Sequence, residues 1–184
     1  MKIIGITGTL GAGKGTVVDY LVNEIGYTHY SVRSFLIDEL QARGLEVNRD
    51  TMTHLANELR AAHTPYYIIG ELYKKAVLAG RNAIIESIRT PGEIDFLRSQ
   101  GNFILIAVDA DPRLRYERIT LRKSATDQVD YETFISNEKR EMTTIDHNKQ
   151  NLRECINRAD IYLNNDGTIQ DLINVLQLKL DTDG

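Results

Sequence analysis

A glycine-rich loop with a single lysine lies near the start of the chain, in the stretch GTLGAGKGT at residues 8–16. Glycines let successive backbone N–H groups turn inward around an anion, and the lysine adds a point charge that can reach the outer phosphates of a nucleotide. A strand is predicted before the loop and a helix after it, which is the context that a phosphate-binding loop requires. The sequence therefore predicts that a nucleotide is bound by Gly8, Gly11, Ala12, Gly13, Lys14, Gly15 and Thr16.

The loop departs in one respect from the pattern G-x-x-x-x-G-K-[ST], which places a hydroxyl directly after the lysine. Here Gly15 follows Lys14, and the hydroxyl comes one residue later, at Thr16. The dinucleotide signature G-x-G-x-x-G fails, because counting from Gly11 brings Thr16 to the position of the third glycine. No tyrosine has a lysine four residues further on, so a short-chain dehydrogenase is disfavoured as well.

An acidic residue and an arginine, Glu86 and Arg89, lie at and just beyond the end of the short apolar run NAIIE. This run is predicted to be a strand, and ligands of open α/β sheets bind at the carboxyl ends of strands. A carboxylate there can organise the water shell of Mg²⁺, and an arginine can hold a phosphate through two hydrogen bonds. The alternative is an ion pair between the two side chains that only fixes the end of the strand.

Further arginines are candidates for binding phosphate elsewhere in the chain. Arg115, Arg118 and Arg122 are spaced three and four residues apart, so they are expected on one helix face. Of these, Arg118 and Arg122 are predicted to neutralise the charge that phosphoryl transfer spreads over the moving group. The alternative is a solvated face paired with neighbouring acidic residues. Arg33 in SVRSFL and Arg60 in NELR are predicted to bind the acceptor together with Arg89.

Short apolar runs that alternate with helical patterns must position these side chains. Together with the loop, the alternation predicts an α/β fold, in which a five-stranded parallel sheet lies between two layers of helices, as in the three-layer α/β/α P-loop NTPase fold. We expect one domain over residues 1–184, with an acceptor-binding helical region at about 33–80 and a small helical lid at about 113–130. The predicted strands are residues 2–7, 28–32, 82–86, 103–110 and 160–164.

The overall composition excludes several other classes of protein. The net charge is −4, so a positive field over the whole molecule is absent and nucleic-acid binding is not expected. The single cysteine, Cys155, cannot form an internal disulfide and is expected to be a buried thiol. No run approaches the roughly 18 apolar residues of a membrane helix. We therefore expect a cytoplasmic monomer or small homo-oligomer whose partner is a small-molecule nucleotide substrate.

The loop form G-x-x-G-x-G-K-G-T resembles that of adenylate kinases and related nucleoside monophosphate kinases. In that family a glycine at the position of Gly15 is normal, and the hydroxyl at the position of Thr16 contacts phosphate. Mg²⁺ is held there largely through waters and carboxylates, which implies that Thr16 and Glu86 form the Mg²⁺ site in this chain. The acceptor segments depart from the family. SVRSFL keeps only Ser31 and Leu36 of S-T-G-D-x-L-R, and ESIR is one residue shorter than D-G-F-P-R.

The stretch IIESIRTPGEIDFLR is also similar to a pattern of uncharacterised archaeal kinase-like proteins near the dephospho-coenzyme-A kinase branch. These resemblances imply ATP and Mg²⁺ as cofactors and transfer of the γ-phosphoryl of ATP to a small phosphorylated acceptor, most simply a nucleoside or deoxynucleoside monophosphate. Two alternatives stay open. One is a kinase for dephospho-coenzyme A or another small metabolite, and the other is an ATP-binding regulator without efficient kinase activity.

Overall fold

The strands of the protein form one parallel sheet. The computed structural model describes residues 1–122, 129–143 and 150–182. The strands lie in the order β2-β3-β1-β4-β5, and every neighbouring pair is parallel. The predicted five-stranded parallel sheet is confirmed, and each predicted strand end lies within one residue of the observed one. The strands are β1 Ile3–Gly8, β2 Thr28–Ser31, β3 Ala83–Glu86, β4 Phe103–Asp109 and β5 Ile161–Asn164.

Helices separate the strands along the chain, and several begin at side-chain caps. At the start of α5 the Thr90 hydroxyl accepts a hydrogen bond from the Glu93 amide, and the Glu93 carboxylate accepts one from the Thr90 amide. The stretch TPGE, at residues 90–93, has the residue types and spacing that are typical of this reciprocal cap. The helices are α1 Lys14–Asn23, α2 Val32–Ala42, α3 Arg49–Ala62, α4 Tyr67–Ala79, α5 Pro91–Ser99, α6 Pro112–Arg122, α7 Tyr131–Met142, α8 Leu152–Asn157 and α9 Ile169–Thr182.

Both faces of the sheet are buried, so the fold has three layers. Along β3, Ala83 and Ile85 pack into a core with residues of α2, α3, α4 and α5, while Ile84 packs into a second core with residues of α1 and α9. Successive strand side chains point to opposite faces, so each short apolar run supplies both cores. This is why the three central strands, β1, β3 and β4, are largely apolar, whereas β5 at the edge of the sheet alternates buried and exposed residues.

The order of the strands sets where a ligand can bind. From β1, at the centre of the sheet, the chain passes first to β2 and β3 on one side and later to β4 and β5 on the other. A crevice forms outside the carboxyl ends of the strands at such a reversal. Glu86 and Asp109 end β3 and β4 on either side of the glycine loop that follows β1.

The acceptor-binding region predicted at about 33–80 and the lid predicted at about 113–130 stay predictions. The region at 33–80 contains most of α2 together with α3 and α4. Of the predicted lid, residues 113–122 belong to α6, while residues 123–128 of its polar loop lie outside the described residues. Cys155 is a fully buried free thiol, as expected. None of the described helices is both long enough and apolar enough to span a bilayer.

Candidate functional site

The glycine loop after β1 needs glycine for its backbone angles and for space. Gly8 has φ 130° and Gly13 has φ 100°, a region that disfavours other residues. A Cβ atom at Gly8 would lie 2.0 Å from the Val108 carbonyl oxygen, and one at Gly13 would lie 2.3 Å from Nδ2 of Asn165. The same Nδ2 donates a hydrogen bond to the Ala12 carbonyl at 2.8 Å. The loop is therefore braced by the turn that follows β5.

Lys14, the first residue of α1, folds back over the loop. Its Nζ donates hydrogen bonds to the carbonyl oxygens of Gly8 and Thr9, at 3.0 and 2.7 Å. Burial, together with the nearby positive charge of Arg89, lowers the pKa of Lys14 to about 8, although Glu86 and Glu141 act in the opposite direction. The ammonium is thus held beside the N-terminus of a helix, where an anion is also favoured by the helix dipole.

The lowered pKa of Lys14 predicts a pH-dependent affinity for Mg·ATP. A bound anion favours the ammonium, so above the pKa of about 8 the free protein must take up a proton to bind. We expect the affinity to fall about tenfold between about pH 7 and about pH 9. Calorimetry in buffers of different ionisation enthalpy measures both the affinity for Mg·ATP and the number of protons taken up on binding. Lys14→Arg, which stays charged over this range, is the control and should give a flat profile.

A cleft of about 670 Å³ opens at the carboxyl ends of the strands. Its described lining contains seven basic and two acidic side chains, so this surface is positive although the chain carries a net charge of −4. Gly8 and Ala12 are buried behind the lining and support the loop from within. The cleft brings together the other predicted site residues, namely Gly11, Gly13, Lys14, Gly15, Thr16, Arg33, Arg60, Glu86, Arg89, Arg118 and Arg122.

Glu86 ends β3 on the floor of the cleft, facing the loop. Its carboxylate lies 3.0 Å from Nε2 of His29, on the neighbouring strand. Burial pushes the pKa of Glu86 upward, but the contact with His29 and the charges of Lys14 and Arg89 outweigh it, so the pKa is lowered and the group is ionised at neutral pH. The next residue, Ser87, has φ 71°, which turns the chain sharply toward Arg89.

Arg60 lies on α3 and is buried against a carboxylate from α5. The Arg60 and Glu93 side chains are 2% and 1% exposed, and Nε and Nη2 of Arg60 donate to one Glu93 oxygen at 3.1 and 3.0 Å. The other Glu93 oxygen accepts from the amides of Arg89 and Thr90, at 2.7 and 3.0 Å. Nη1 of Arg60 is buried and has no hydrogen-bond partner among the described residues. Glu93 therefore fixes two of the three predicted acceptor arginines, Arg60 and Arg89, from behind.

Arg89 contacts Glu141, a residue of α7 that no sequence motif connected with the site. Its Nη1 donates to Glu141 at 2.6 Å and to Gln150 at 2.8 Å. Glu141 also accepts a hydrogen bond from Arg49, at the start of α3. The alternative interpretation of Glu86 and Arg89 was an ion pair between them at the end of the strand. This ion pair does not form, because Glu86 pairs with His29 and Arg89 pairs with Glu141.

The arginines of α6 divide between the cleft and the interior. Arg118 and Arg122 line the cleft. Nη2 of Arg118 donates to the Asn165 carbonyl at 2.9 Å, and its buried Nη1 has no hydrogen-bond partner within the described ranges. Arg115 does not share their exposure, contrary to the expectation from its spacing. It is buried, donates to the Ala110 carbonyl at 2.7 Å and pairs with Glu138 of α7.

The donor groups suit a magnesium ion that keeps most of its water. Mg²⁺ is usually bound by one or two carboxylates together with substrate phosphates, and not by a cage of protein ligands. The cleft offers the ionised carboxylate of Glu86 and the hydroxyl of Thr16. In the described part of the chain no cluster of three or more His, Cys, Asp or Glu side chains could hold a metal by itself.

The strand order and the glycine loop with its lysine define a P-loop kinase fold. Residues 4–146 match the AAA domain family, and a UPF0200 protein from Methanococcus vannielii is 30% identical over 145 residues, an alignment covering 77% of this chain and 78% of the relative. The chain therefore belongs to the AAA domain family and to the UPF0200 proteins. A UPF0200 protein from Methanococcus maripaludis is 28% identical over 184 residues, covering 96% of this chain and 94% of the relative.

The fold is also found in solved kinase structures. A shikimate kinase from Bacteroides thetaiotaomicron superposes with a TM-score of 0.62 at 15% identity, covering 98% of both chains. At this identity the likeness shows a shared fold. The narrower resemblance to adenylate and dephospho-coenzyme-A kinases stays a prediction.

Proposed function

We propose that the protein is a phosphotransferase that moves the γ-phosphoryl of ATP to a small phosphorylated acceptor. The observation that carries this proposal is the shared cleft. A lysine-bearing phosphate loop and a cluster of arginines from α2, α3 and the β3–α5 connection line one crevice at the switch point of the sheet. Two separate phosphate-binding regions in one cleft are what transfer between two phosphorylated substrates requires.

The donor half consists of the loop, Lys14 and α6. The loop amides and the Lys14 ammonium bind the β- and γ-phosphates, and Thr16 and Glu86 hold Mg²⁺ through its waters. When bound, Mg²⁺ neutralises charge on the phosphate oxygens. An acceptor oxygen attacks the γ-phosphorus, the bond to the β–γ bridging oxygen breaks, and ADP leaves. Arg118 and Arg122 stabilise the charge that develops during this step.

The acceptor half consists of arginines that are held in fixed orientations. Glu93 fixes Arg60 and the backbone of Arg89. Arg60 is one of the residues that line the cleft, and its buried Nη1 has no hydrogen-bond partner among the described residues. A buried donor of this kind is costly unless a ligand satisfies it. Together with Arg33, which also lines the cleft, these groups suit the phosphate of a nucleoside or deoxynucleoside monophosphate.

A second acceptor class is supported by the apolar wall of the cleft. No aromatic side chain appears in the described lining, and the apolar groups that α2 and α3 contribute to it are aliphatic, such as Leu36 and Met52. Tyr66 and Tyr73, which could stack on a base if they faced the cleft, pack instead against Phe96 of α5. A phosphorylated metabolite with a compact aliphatic body fits such a wall, in line with the small-metabolite alternative.

An acceptor panel tests the proposed function directly. ADP formation from ATP and Mg²⁺ is measured alone and with nucleoside monophosphates, dephospho-coenzyme A and small phosphorylated metabolites. A phosphotransferase shows turnover that depends on one of these acceptors. Very slow turnover that no acceptor increases would instead support the ATP-binding regulator. We place this activity in the cytoplasm, and we propose that the protein works as a monomer or small homo-oligomer.

The variant Arg89→Ala should weaken use of the acceptor much more than binding of the donor, Mg·ATP. Because Arg89 contacts Glu141 and Gln150 on the acceptor side, its loss should raise the KM for the acceptor by about tenfold or more while the Kd for Mg·ATP changes less than about threefold. Steady-state kinetics and a nucleotide titration measure the two quantities. Arg98→Ala, on the exposed side of α5, is the control. An equal loss of both affinities would contradict the acceptor role.

A further inference from the structure

Ser87, the residue that follows β3, has a backbone angle that serine rarely adopts. Its φ is 71°, and Asn102 is the only other residue besides glycine with a positive φ in the part of the chain that the structure describes. At such an angle a side chain strains the backbone, whereas glycine makes the same turn without this strain. The Ser87 side chain therefore lowers the stability of the fold, and strain of this kind clusters at functional sites.

The contacts on both sides of Ser87 hold it in this conformation. Before it, Glu86 lies opposite Ile6 in the pairing of β3 with β1. After it, the amide of Ile88 donates to the Ile6 carbonyl at 3.1 Å, and the Ile88 carbonyl accepts from the Thr7 hydroxyl at 2.7 Å. The Ile88 side chain is fully buried. Ser87 thus cannot move to a negative φ unless these contacts break, which is the condition under which such strain persists.

Ser87 lies where the donor half and the acceptor half of the cleft meet. It lines the cleft, as do Glu86 before it and Arg89 two residues after it. Glu86 faces the glycine loop, and Arg89 is one of the predicted acceptor arginines. The residue after Ser87 is bonded to Thr7, which directly precedes the loop at Gly8. Ser87 therefore lies beside the start of the loop, on the side that leads to the acceptor arginines.

The Ser87 hydroxyl is available to a ligand. Ser87 is half-buried, and its hydroxyl has no hydrogen-bond partner among residues 1–122, 129–143 and 150–182. Lys14 and Arg89 are both near enough to the adjacent Glu86 to act on its charge, so phosphate-binding groups of both halves surround this point. A hydroxyl donates a strong hydrogen bond to a charged oxygen. A phosphate oxygen is therefore the group that suits this place.

We propose that Ser87 is a further substrate-binding residue, whose hydroxyl donates a hydrogen bond to the terminal phosphate of ATP, the group that is transferred. The inference rests on the proposed function, because it concerns the donor of the same reaction. The loop and Lys14 bind the phosphates from one side, and the terminal phosphate is the one that extends past the end of β3 toward the acceptor arginines. ADP lacks this phosphate and does not reach Ser87. The hydroxyl, fixed before the nucleotide arrives, therefore favours binding of ATP over ADP.

Binding of two nucleotides to the intact chain tests the proposal without any acceptor. The probes are Mg·ADP and the Mg²⁺ complex of adenylyl imidodiphosphate, a non-hydrolysable ATP analogue with a terminal phosphate. Ser87→Gly and Ser87→Ala should each raise the Kd for the analogue by about tenfold, the usual effect of losing a hydrogen bond to a charged group, while the Kd for Mg·ADP changes by less than about twofold. Because serine is uncharged, neither variant changes a charge near Lys14, Glu86 or Arg89.

Thermal unfolding without nucleotide separates the hydroxyl from the backbone. Ser87→Gly relieves the strain and should melt about 2 °C or more above the wild type, whereas Ser87→Ala keeps the strain and should not. Asn102→Gly is the matched control, because Asn102 also has a positive φ, of 42°, but is exposed just before β4, at the opposite end of the sheet. This variant should bind both nucleotides like the wild type.

The results distinguish failure of this inference from failure of the proposed function. Normal binding of Mg·ADP with an unchanged Kd for the analogue in both Ser87 variants would reject only the role of Ser87. An equal loss of both nucleotides, a loss confined to Ser87→Gly, or a Tm of Ser87→Gly at or below that of the wild type would overturn it as well, because each points to the fold and not to the hydroxyl. Absence of binding of both nucleotides to the wild type would reject the phosphotransferase itself.

Discussion

Lys14→Ala should lower the rate of phosphoryl transfer by about a thousandfold or more while leaving the fold intact. The ammonium is held over the loop by the carbonyls of Gly8 and Thr9, so in the proposed function it is already positioned for the outer phosphates. Its loss removes a charge that is aimed at the reacting group and that water cannot replace with the same geometry. Single-turnover measurement of ADP formation with the preferred acceptor gives the size of the effect.

Lys14→Ala should not destabilise the fold, because burial already makes the charged form of this lysine unfavourable in the free protein. Burial lowers its pKa to about 8, so removing the ammonium relieves a cost in the free protein and the Tm should not fall. Lys139→Ala, which removes an exposed lysine from α7, controls for the loss of one positive charge. Near-normal turnover of Lys14→Ala would mean that the loop does not bind the transferred phosphate.

Glu93→Gln should lower the free energy of unfolding by about 3–5 kcal/mol, the usual effect of removing one partner from a buried ion pair. The carboxylate compensates the buried Arg60 and also accepts the amides of Arg89 and Thr90 at the start of α5. The neutral amide leaves the Arg60 charge in an apolar surrounding. Urea unfolding at equilibrium measures this change, and the slope of the free energy of unfolding against urea concentration should stay the same.

A surface ion pair on the same helix provides the matched control. Asp95 pairs with Arg158, but its side chain is 64% exposed. Asp95→Asn should therefore change the stability by less than about 1 kcal/mol. Adding Arg60→Met to Glu93→Gln should recover much of the lost stability, since both buried charges are then gone. A loss below about 1 kcal/mol for Glu93→Gln alone would contradict the importance of the buried pair.

The parts of the fold that depend on neighbouring residues were predictable from the sequence. The strands follow from short apolar runs, and the cap of α5 follows from Thr90, Pro91 and Glu93, which are adjacent in the chain. The loop carries its own signature in the spacing of its glycines and Lys14. For these features the physical cause lies within a few residues, so the sequence contains it directly.

The partners of the arginines could not be predicted, because they come from distant parts of the chain. Arg49 and Glu141 are 92 residues apart, and Arg89 and Gln150 are 61 residues apart. Helical spacing alone placed Arg115 on the same face as Arg118, since periodicity does not show which side of the helix meets Glu138. Only the packing of α7 against α6 and the strand ends determines these pairs.

The turn after β5 determines the spacing of the whole donor half. The Asn165 side chain donates a hydrogen bond to the Ala12 carbonyl, and the Asn165 carbonyl accepts one from Arg118. The neighbouring Asp166 accepts a hydrogen bond from the amide of Asp111, just before α6. Hydrogen bonds thus connect both the loop and the start of α6 to the turn after β5. In the proposed function, a triphosphate held there meets groups whose mutual distances are set before it arrives, so adaptation to different acceptors falls to α2, α3 and the β3–α5 connection.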